Sequence, residues 1–232
     1  MWNDGRAEVA FYDSETEDDK VPRIFKEQII IKKEGDALKM NVVHKFDTQN
    51  YPISYLTSIY SKQEDLITPI KVTVGSQDWV GNVIKIYKEG VLQIFSDHEP
   101  AGDQTIPLLW NKGDMFEDQL PLALRAILFQ QDFQFETRIW TLLTNNLVIK
   151  PEPVETNIKV VGEEVVRTRM GSWPCWIVKV TKNGSDDTYW FEKKEPHILT
   201  KMVTADGRKR TLTGRARWGY WDLRIPKPNI LN

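Results

Sequence analysis

Three histidines and one cysteine are the residues of this chain best suited to bind a metal or to act as base and nucleophile. His44, His98 and His197 lie far apart in the sequence, and Cys175 is the only cysteine. A structural zinc site needs about four such ligands at close spacing, so the sequence predicts no metal site and no cofactor. The acids that flank His98 are better explained as a polar loop than as a cation site.

Cys175 stands between Pro174 and Trp176. An apolar setting raises the pKa of a thiol and makes it unreactive, so we interpret Cys175 as a buried structural residue. The chain has no GxSxG elbow and no glycine-rich phosphate loop. A pair of carboxylates for glycoside hydrolysis could still exist among its 33 acids. We therefore predict a protein that is not an enzyme, and keep a hydrolase with an unrecognised carboxylate pair as the third hypothesis.

Large apolar side chains are candidates for lining a ligand pocket, because pockets for apolar ligands are concave and rich in aromatic residues. The chain has nine tryptophans. The candidate ligand-binding residues are Trp110, Phe116, Leu124, Trp140, Trp173, Trp176 and Trp190. The same residues would equally form a filled core, and that is the interpretation we favour; an open half-barrel would turn them into a binding surface.

The C-terminal segment mixes bases with aromatic residues. Its candidate interaction residues are Arg215, Arg217, Trp218 and Trp221. Such a composition can stack on single-stranded nucleic acid and neutralise phosphates, but it also suits a basic hairpin surface or a protein-docking segment. The net charge of −2 creates no general attraction to nucleic acid, so we favour a protein partner over nucleic acid.

The two ends of the chain carry opposite charge. Residues 1–20 hold seven acids and two bases, for 2 − 7 = −5, whereas residues 201–232 hold eight bases and two acids, for 8 − 2 = +6. One interpretation is that the ends pack against each other. The chain contains no apolar run of about 18 residues, so it predicts no membrane-spanning helix. Its start lacks the basic and apolar regions of a signal peptide.

Most of the chain alternates between apolar and polar residues with a period of two, which is typical of strands that are buried on one side. Turn residues separate the runs and predict hairpins. These turns are at residues 35–36, 88–90, 162–163, 183–184 and 206–207, and further strands are predicted at 135–143 and from 147 onwards. We predict one mainly β domain over residues 1–232, with a long, strongly curved antiparallel sheet or open barrel.

One helix is predicted near residues 114–128, on the concave side of the sheet. Its apolar residues recur at helical spacing. Two starts are compatible with the sequence. Asp114, with Glu117 three residues later, has the spacing of a capping box. Pro121 fits poorly deep inside a helix, so the helix could instead begin near it.

Three stretches between residues 115 and 213 carry a family resemblance. They are the leucine-rich segment 120–126 with its Arg125, the strand 176–180, and the aromatic strand 189–191 with its return strand 197–201. Together they resemble a family of exported bacterial proteins of unknown function, whose plan is a curved half-barrel similar to the lipoprotein carriers of the Lol system. The resemblance implies a periplasmic or secreted protein that binds a lipid or another apolar or amphipathic ligand in its concavity. The alternative is an interaction module that docks a protein through a sheet edge or the C-terminal segment.

Overall fold

The computed structural model describes residues 2–18, 21–47, 52–79, 81–97 and 102–219. Within these ranges, fifteen strands form one sheet. In the first half they are β1 (Arg6–Asp18), β2 (Val21–Glu34), β3 (Ala37–Asp47), β4 (Pro52–Lys62), β5 (Asp65–Gln77), β6 (Asn82–Lys88), β7 (Val91–Ser96) and β8 (Gln104–Pro107). The remainder are β9 (Met115–Phe116), β10 (Gln134–Trp140), β11 (Pro153–Thr168), β12 (Gly171–Lys182), β13 (Ser185–Glu192), β14 (Leu199–Val203) and β15 (Lys209–Gly219).

The strands form a meander in two parts. Strands β1 to β8 run from the middle of the sheet to one edge, and strands β9 to β15 run from the other edge back to the middle. Their order is β8-β7-β6-β5-β4-β3-β2-β1-β15-β14-β13-β12-β11-β10-β9. All neighbours are antiparallel except β9 and β10, which are parallel. The sheet is open, with β8 and β9 at its edges, so the predicted mainly β fold with a long antiparallel sheet is confirmed.

The oppositely charged ends meet at the centre of the sheet, where β1 pairs with β15. Arg217 on β15 lies 2.5 Å from Asp4, and Lys209 lies 3.4 Å from Glu15. These ion pairs link two strands whose members are almost the whole described chain apart, although partly exposed pairs of this kind contribute only about 0–1 kcal/mol each.

In the described part of the chain the one α-helix, α1 (Leu120–Ala123), is short and lies between 3-10 turns at Glu117–Gln119 and Leu124–Ala126. Pro121 is in the first turn of α1, which confirms the second of the two predicted starts. Asp114 does not cap a helix, because its carboxylate accepts bonds from Arg138 and from the Trp140 indole instead. The regular helix is thus much shorter than the predicted span of residues 114–128.

The helical segment fills the concave side of the sheet and joins two clusters of apolar side chains. Leu122 packs in the cluster built mainly from β1–β7, whereas Leu120 and Leu124 pack in the cluster built from β9–β14. Gln119 anchors the segment to β5, because its side-chain amide donates to the Ile67 carbonyl at 2.6 Å. One short helix can therefore cover the concave faces of both halves.

Two predicted strand boundaries are wrong. Gly162 and Glu163 do not form a turn but lie within the continuous strand β11, directly after a β-bulge at Val161, where the pairing with β12 shifts register. A bulge accommodates one extra residue without ending the strand. Residues 141–152, predicted to be largely strand, form an irregular connection between β10 and β11, and part of it lies against the concave face.

Candidate functional site

Several ionisable side chains occupy positions on the concave face where the strand alternation would place apolar residues. They are Glu8, Glu27, His44, Lys85, Asp187 and Arg210. The side chains of Glu8 and Glu27 are almost completely buried, as are the residues Lys85 and Asp187. Burying charge is costly unless the group is paired, so this set marks the polar part of the concave face.

The register of β1–β4 brings a row of these polar groups together. Tyr12 lies opposite Glu27, Glu27 opposite His44, and His44 opposite Tyr55. Directly opposed residues of antiparallel strands have their Cβ atoms about 4.5–5.5 Å apart and share one face. Residues 43 positions apart in the sequence therefore form one continuous row.

Glu27, His44 and Tyr55 of this row form one wall of a cavity of about 220 Å³ on the concave side. The cavity is bounded by β1–β4, the Glu117–Gln119 turn, α1, the β10–β11 connection and β13–β15. Its apolar and aromatic lining residues are Phe25, Val42, Tyr55, Pro121, Leu142, Tyr189 and Met202. Its polar lining residues are Ser14, Glu15, Thr16, Glu27, His44, Thr57, Glu117, Asp118, Thr144, Arg208, Lys209 and Arg210.

Glu27 is the centre of the polar group on the β1–β3 wall. Its carboxylate lies 2.5 Å from the Arg210 guanidinium and 3.4 Å from Nδ1 of His44, and it accepts a 3.4 Å hydrogen bond from the Ser14 hydroxyl. Burial lowers the pKa of His44 below its ordinary value of 6.5, and the nearby Glu27 charge offsets this only in part. His44 is therefore neutral at pH 7.

Glu117 is the centre of the ion-pair network on the helical wall. It contacts Arg208, and it accepts a 3.1 Å hydrogen bond from Lys182, which also lies 2.7 Å from Asp187. Burial opposes ionisation of Glu117, but the charges of Arg208 and Lys182 outweigh it and hold its pKa below the ordinary value. Both cations of this network are therefore engaged with carboxylates.

Asp118 secures the β10–β11 connection as the third wall. It accepts hydrogen bonds from the backbone N–H groups of Leu143 at 2.7 Å and Thr144 at 3.1 Å, and from the Thr144 hydroxyl. Lys85 binds the same connection, donating to the Leu143 carbonyl at 2.9 Å. Burial raises the pKa of Asp118 and lowers that of Lys85 to about 8. Two buried ionisable groups thus hold an irregular segment inside the fold.

We expect His44 to make the protein less stable as the pH falls. Its folded-state pKa is lowered, so between that value and the unfolded value of about 6.5 the unfolded chain binds the extra proton. The free energy of unfolding should then fall with decreasing pH, by at most about 1.4 kcal/mol per pH unit from this group. The measurement is urea unfolding of the wild type and of His44→Gln between pH 5 and 7.5.

The difference in free energy of unfolding between the wild type and His44→Gln reports the contribution of His44, because the other titrating groups contribute to both proteins. An imidazole NMR titration of His44 provides an independent check. A midpoint above 6.5, or a stability difference that does not change with pH, would contradict the prediction.

The seven candidate ligand-binding residues do not line this cavity. The ring of Trp110 lies 4.8 Å from that of Phe116 and 5.8 Å from that of Trp140, so these three pack together in the first cluster. Leu124 is fully buried in the second cluster. These four side chains belong to the packed core.

The other three tryptophans are half-buried. Trp173 contacts the Arg215 guanidinium, Trp176 stacks on Phe129, and Trp190 donates a 2.8 Å hydrogen bond to Glu164. The structure therefore does not bring the seven residues together into one pocket, and their role in ligand binding stays a prediction.

Three of the four candidate interaction residues lie in the last part of β15. Arg215 pairs with Glu192 at 2.8 Å, Arg217 pairs with Asp4, and Trp218 packs beside the small cluster of Ala7, Val9 and Phe11. Trp221 and His98 lie outside the described residues. The charges of Arg215 and Arg217 are thus used within the fold, and their role in docking a partner stays a prediction.

Cys175 is buried, and burial raises the pKa of its thiol, in agreement with the structural role predicted for it. Within the described ranges, no group of three or more His, Cys, Asp or Glu side chains could hold a metal ion. In the same part of the chain, no helix is long and apolar enough to cross a membrane.

The cavity residues were missed because only large apolar side chains were considered as candidates for lining a pocket. The sequence did contain an indication of these residues. In the alternation of the strands, Glu27 falls on the same face as Ile29 and Ile31, and His44 falls on the same face as Val42. A charged residue in the apolar phase of a strand is costly to bury, so it marks a position with a polar partner across the fold.

Comparison with known proteins does not assign a function to this site. No family model matches the chain, and no curated protein matches it. The arguments for function therefore rest on the cavity and on the residues around it.

Proposed function

We propose that this protein binds a small amphipathic ligand in the concave cavity and does not transform it chemically. The observation that carries this proposal is the composition of the cavity, whose apolar and aromatic wall adjoins a wall of paired charges and hydroxyl groups. Ligand sites typically combine a largely apolar surface with a few polar groups that orient the ligand. The resemblance to exported carriers supports a role outside the cytoplasm.

The apolar part of the ligand would lie against Phe25, Val42, Leu142 and Met202. Burying a methylene group there would contribute about 0.8 kcal/mol. A volume of about 220 Å³ is below the roughly 300–1,000 Å³ that encloses a drug-sized ligand. The cavity therefore suits a short chain, or one end of a longer molecule that extends into solvent.

The pairing of the charged groups supports binding over catalysis. Glu27 is engaged with Arg210, Glu117 with Arg208 and Lys182, and Asp118 with backbone N–H groups. A hydrolase with two carboxyl groups needs both of them directed at the substrate. Carboxylates that are held in ion pairs or in backbone hydrogen bonds are better suited to shaping a rigid site.

We expect 1-hexanol, a short neutral amphiphile, to cause saturable NMR shifts in residues of the cavity, such as Thr57 and Thr144. Phe25→Ala should weaken this binding about fivefold to tenfold, because the ring supplies part of the apolar wall. The matched control is Phe95→Ala, since Phe95 is 40% exposed and is not part of the cavity lining. It should leave the affinity unchanged.

Native mass spectrometry of gently purified protein would reveal a ligand that remains bound from the cell. Shifts that do not saturate, or that occur only away from the cavity, would contradict the proposed function. Equal effects of Phe25→Ala and Phe95→Ala would contradict the proposed site.

A further inference from the structure

We infer that the cavity selects a cationic head group, that of a protonated amine. This inference rests on the proposed binding function and adds the chemical class of the ligand. Three independent features of the wall support it: the hydrogen-bonding state of His44, the rings on either side of it, and the balance of charge.

His44 presents a hydrogen-bond acceptor. Its Nδ1 lies 3.4 Å from the Glu27 carboxylate, which accepts hydrogen bonds only, so the proton of the neutral ring belongs on Nδ1. The second ring nitrogen, Nε2, then carries a lone pair. The side chain retains 16% exposure and lines the cavity, and in the inferred complex this nitrogen accepts from an N–H donor of the ligand.

Aromatic rings flank His44 on both sides. Phe25 stacks on the imidazole with the ring centroids 6.0 Å apart, and Tyr55 meets it edge-on at 6.3 Å. All three residues line the cavity. Aromatic faces attract ammonium groups through their quadrupoles, and a set of such rings is a recurring way to bind amines.

The charges of the wall are also unfavourable to an anion. The charged groups considered are the lining residues and the residues that form ion pairs with them directly. The carboxylates are Glu15, Glu27, Glu117, Asp118, Asp187 and Asp206, and the cations are Lys182, Arg208, Lys209 and Arg210. The net charge of this set is 4 − 6 = −2, and it stays negative when Asp118 is protonated. Each of these cations already contacts a carboxylate, so an anionic ligand would have to compete with that carboxylate for it.

The test compares three ligands that share one chain: 1-hexylammonium, 1-hexanol and hexanoate, titrated calorimetrically into the full chain at neutral pH. We expect 1-hexylammonium to bind at least about tenfold more tightly than hexanoate, with 1-hexanol between them. Hexanoate binding as tightly as 1-hexylammonium, or more tightly, would overturn the inference while leaving the proposed function intact. Failure of all three to bind would instead overturn the proposed function.

Two variants test whether residues of the cavity wall cause the preference for 1-hexylammonium. Glu27→Gln removes the buried negative charge and releases Arg210, so the ratio of 1-hexylammonium to hexanoate affinity should fall about tenfold or more. The control Glu136→Gln changes an exposed carboxylate outside the cavity lining and should preserve the ratio. Tyr55→Leu keeps the apolar bulk and loses the ring, so it should reduce the preference for 1-hexylammonium over 1-hexanol even if Glu27→Gln does not fold. An unchanged preference in both cavity variants would overturn the inference.

Discussion

Arg125→Met should lower the free energy of unfolding by about 3–5 kcal/mol. Nη1 of Arg125 donates to the Glu8 carboxylate at 2.8 Å, and both side chains are at most 3% exposed. Removing the guanidinium leaves the Glu8 charge buried without its counter-ion, which costs far more than the attraction between the two is worth. The measurement is urea unfolding at neutral pH.

The double variant Glu8→Leu/Arg125→Met distinguishes a buried charge from lost packing. Replacing both members of a buried ion pair by apolar residues is often neutral or stabilising. We therefore expect the double variant to be more stable than Arg125→Met alone. A double variant at least as unstable as the single one would show that the pair contributes through its packing or its net attraction.

An exposed ion pair serves as the control. Lys179 lies 2.6 Å from Asp186, with both side chains about 40% exposed, and such pairs are worth about 0–1 kcal/mol. Lys179→Met should therefore have little effect on stability. A comparable loss in Lys179→Met and Arg125→Met would contradict the assignment of Glu8–Arg125 as a buried pair that joins the helical segment to the central strand.

Local chemistry was sufficient to predict much of the sheet. The turns at residues 35–36, 88–90, 183–184 and 206–207 each connect two antiparallel strands, because glycine there adopts the left-handed backbone that tight turns need. Gly162 carried the same signal but lies within a continuous strand, directly after a bulge at Val161. The distinction depends on whether β12 continues to pair beyond it, and no local pattern contains that information.

The cavity depends on contacts between residues that are distant in the sequence, and that is why it could not be predicted. Tyr12, Glu27, His44 and Tyr55 form one row only once the register of three strand pairs is known. A shift of one residue in any of these pairs would turn the side chains to the opposite face. Likewise, the Glu8–Arg125 pair joins residues separated by 117 positions.

The β10–β11 connection was misassigned because its stability comes from other elements. Residues such as Val148 and Ile149 have high strand propensity. The backbone of Leu143 and Thr144, however, bonds to the side chains of Asp118 and Lys85. Buried side chains satisfy this backbone in place of a strand partner, so the segment remains irregular.

Phe116→Ala should lower the free energy of unfolding by about 3–5 kcal/mol. The ring is fully buried and lies 4.9 Å from that of Tyr87 and 4.8 Å from that of Trp110. Its removal costs both the transfer energy of the ring and the cavity left among neighbours held by the sheet. The matched control is Phe95→Ala, which should cost much less because its ring is 40% exposed.

The same variant decides whether Phe116 belongs to a filled core or to a ligand pocket. In a filled core, Phe116→Ala creates a new apolar cavity, and such cavities bind benzene. Benzene should then stabilise Phe116→Ala by an amount that grows with its concentration, while leaving the wild type almost unchanged. Equal stabilisation of both proteins, with benzene located beside Trp110 and Trp140 in each, would show that the wild type already has an open aromatic pocket there. The ligand site would then have to be reassigned from the cavity around His44 to these rings.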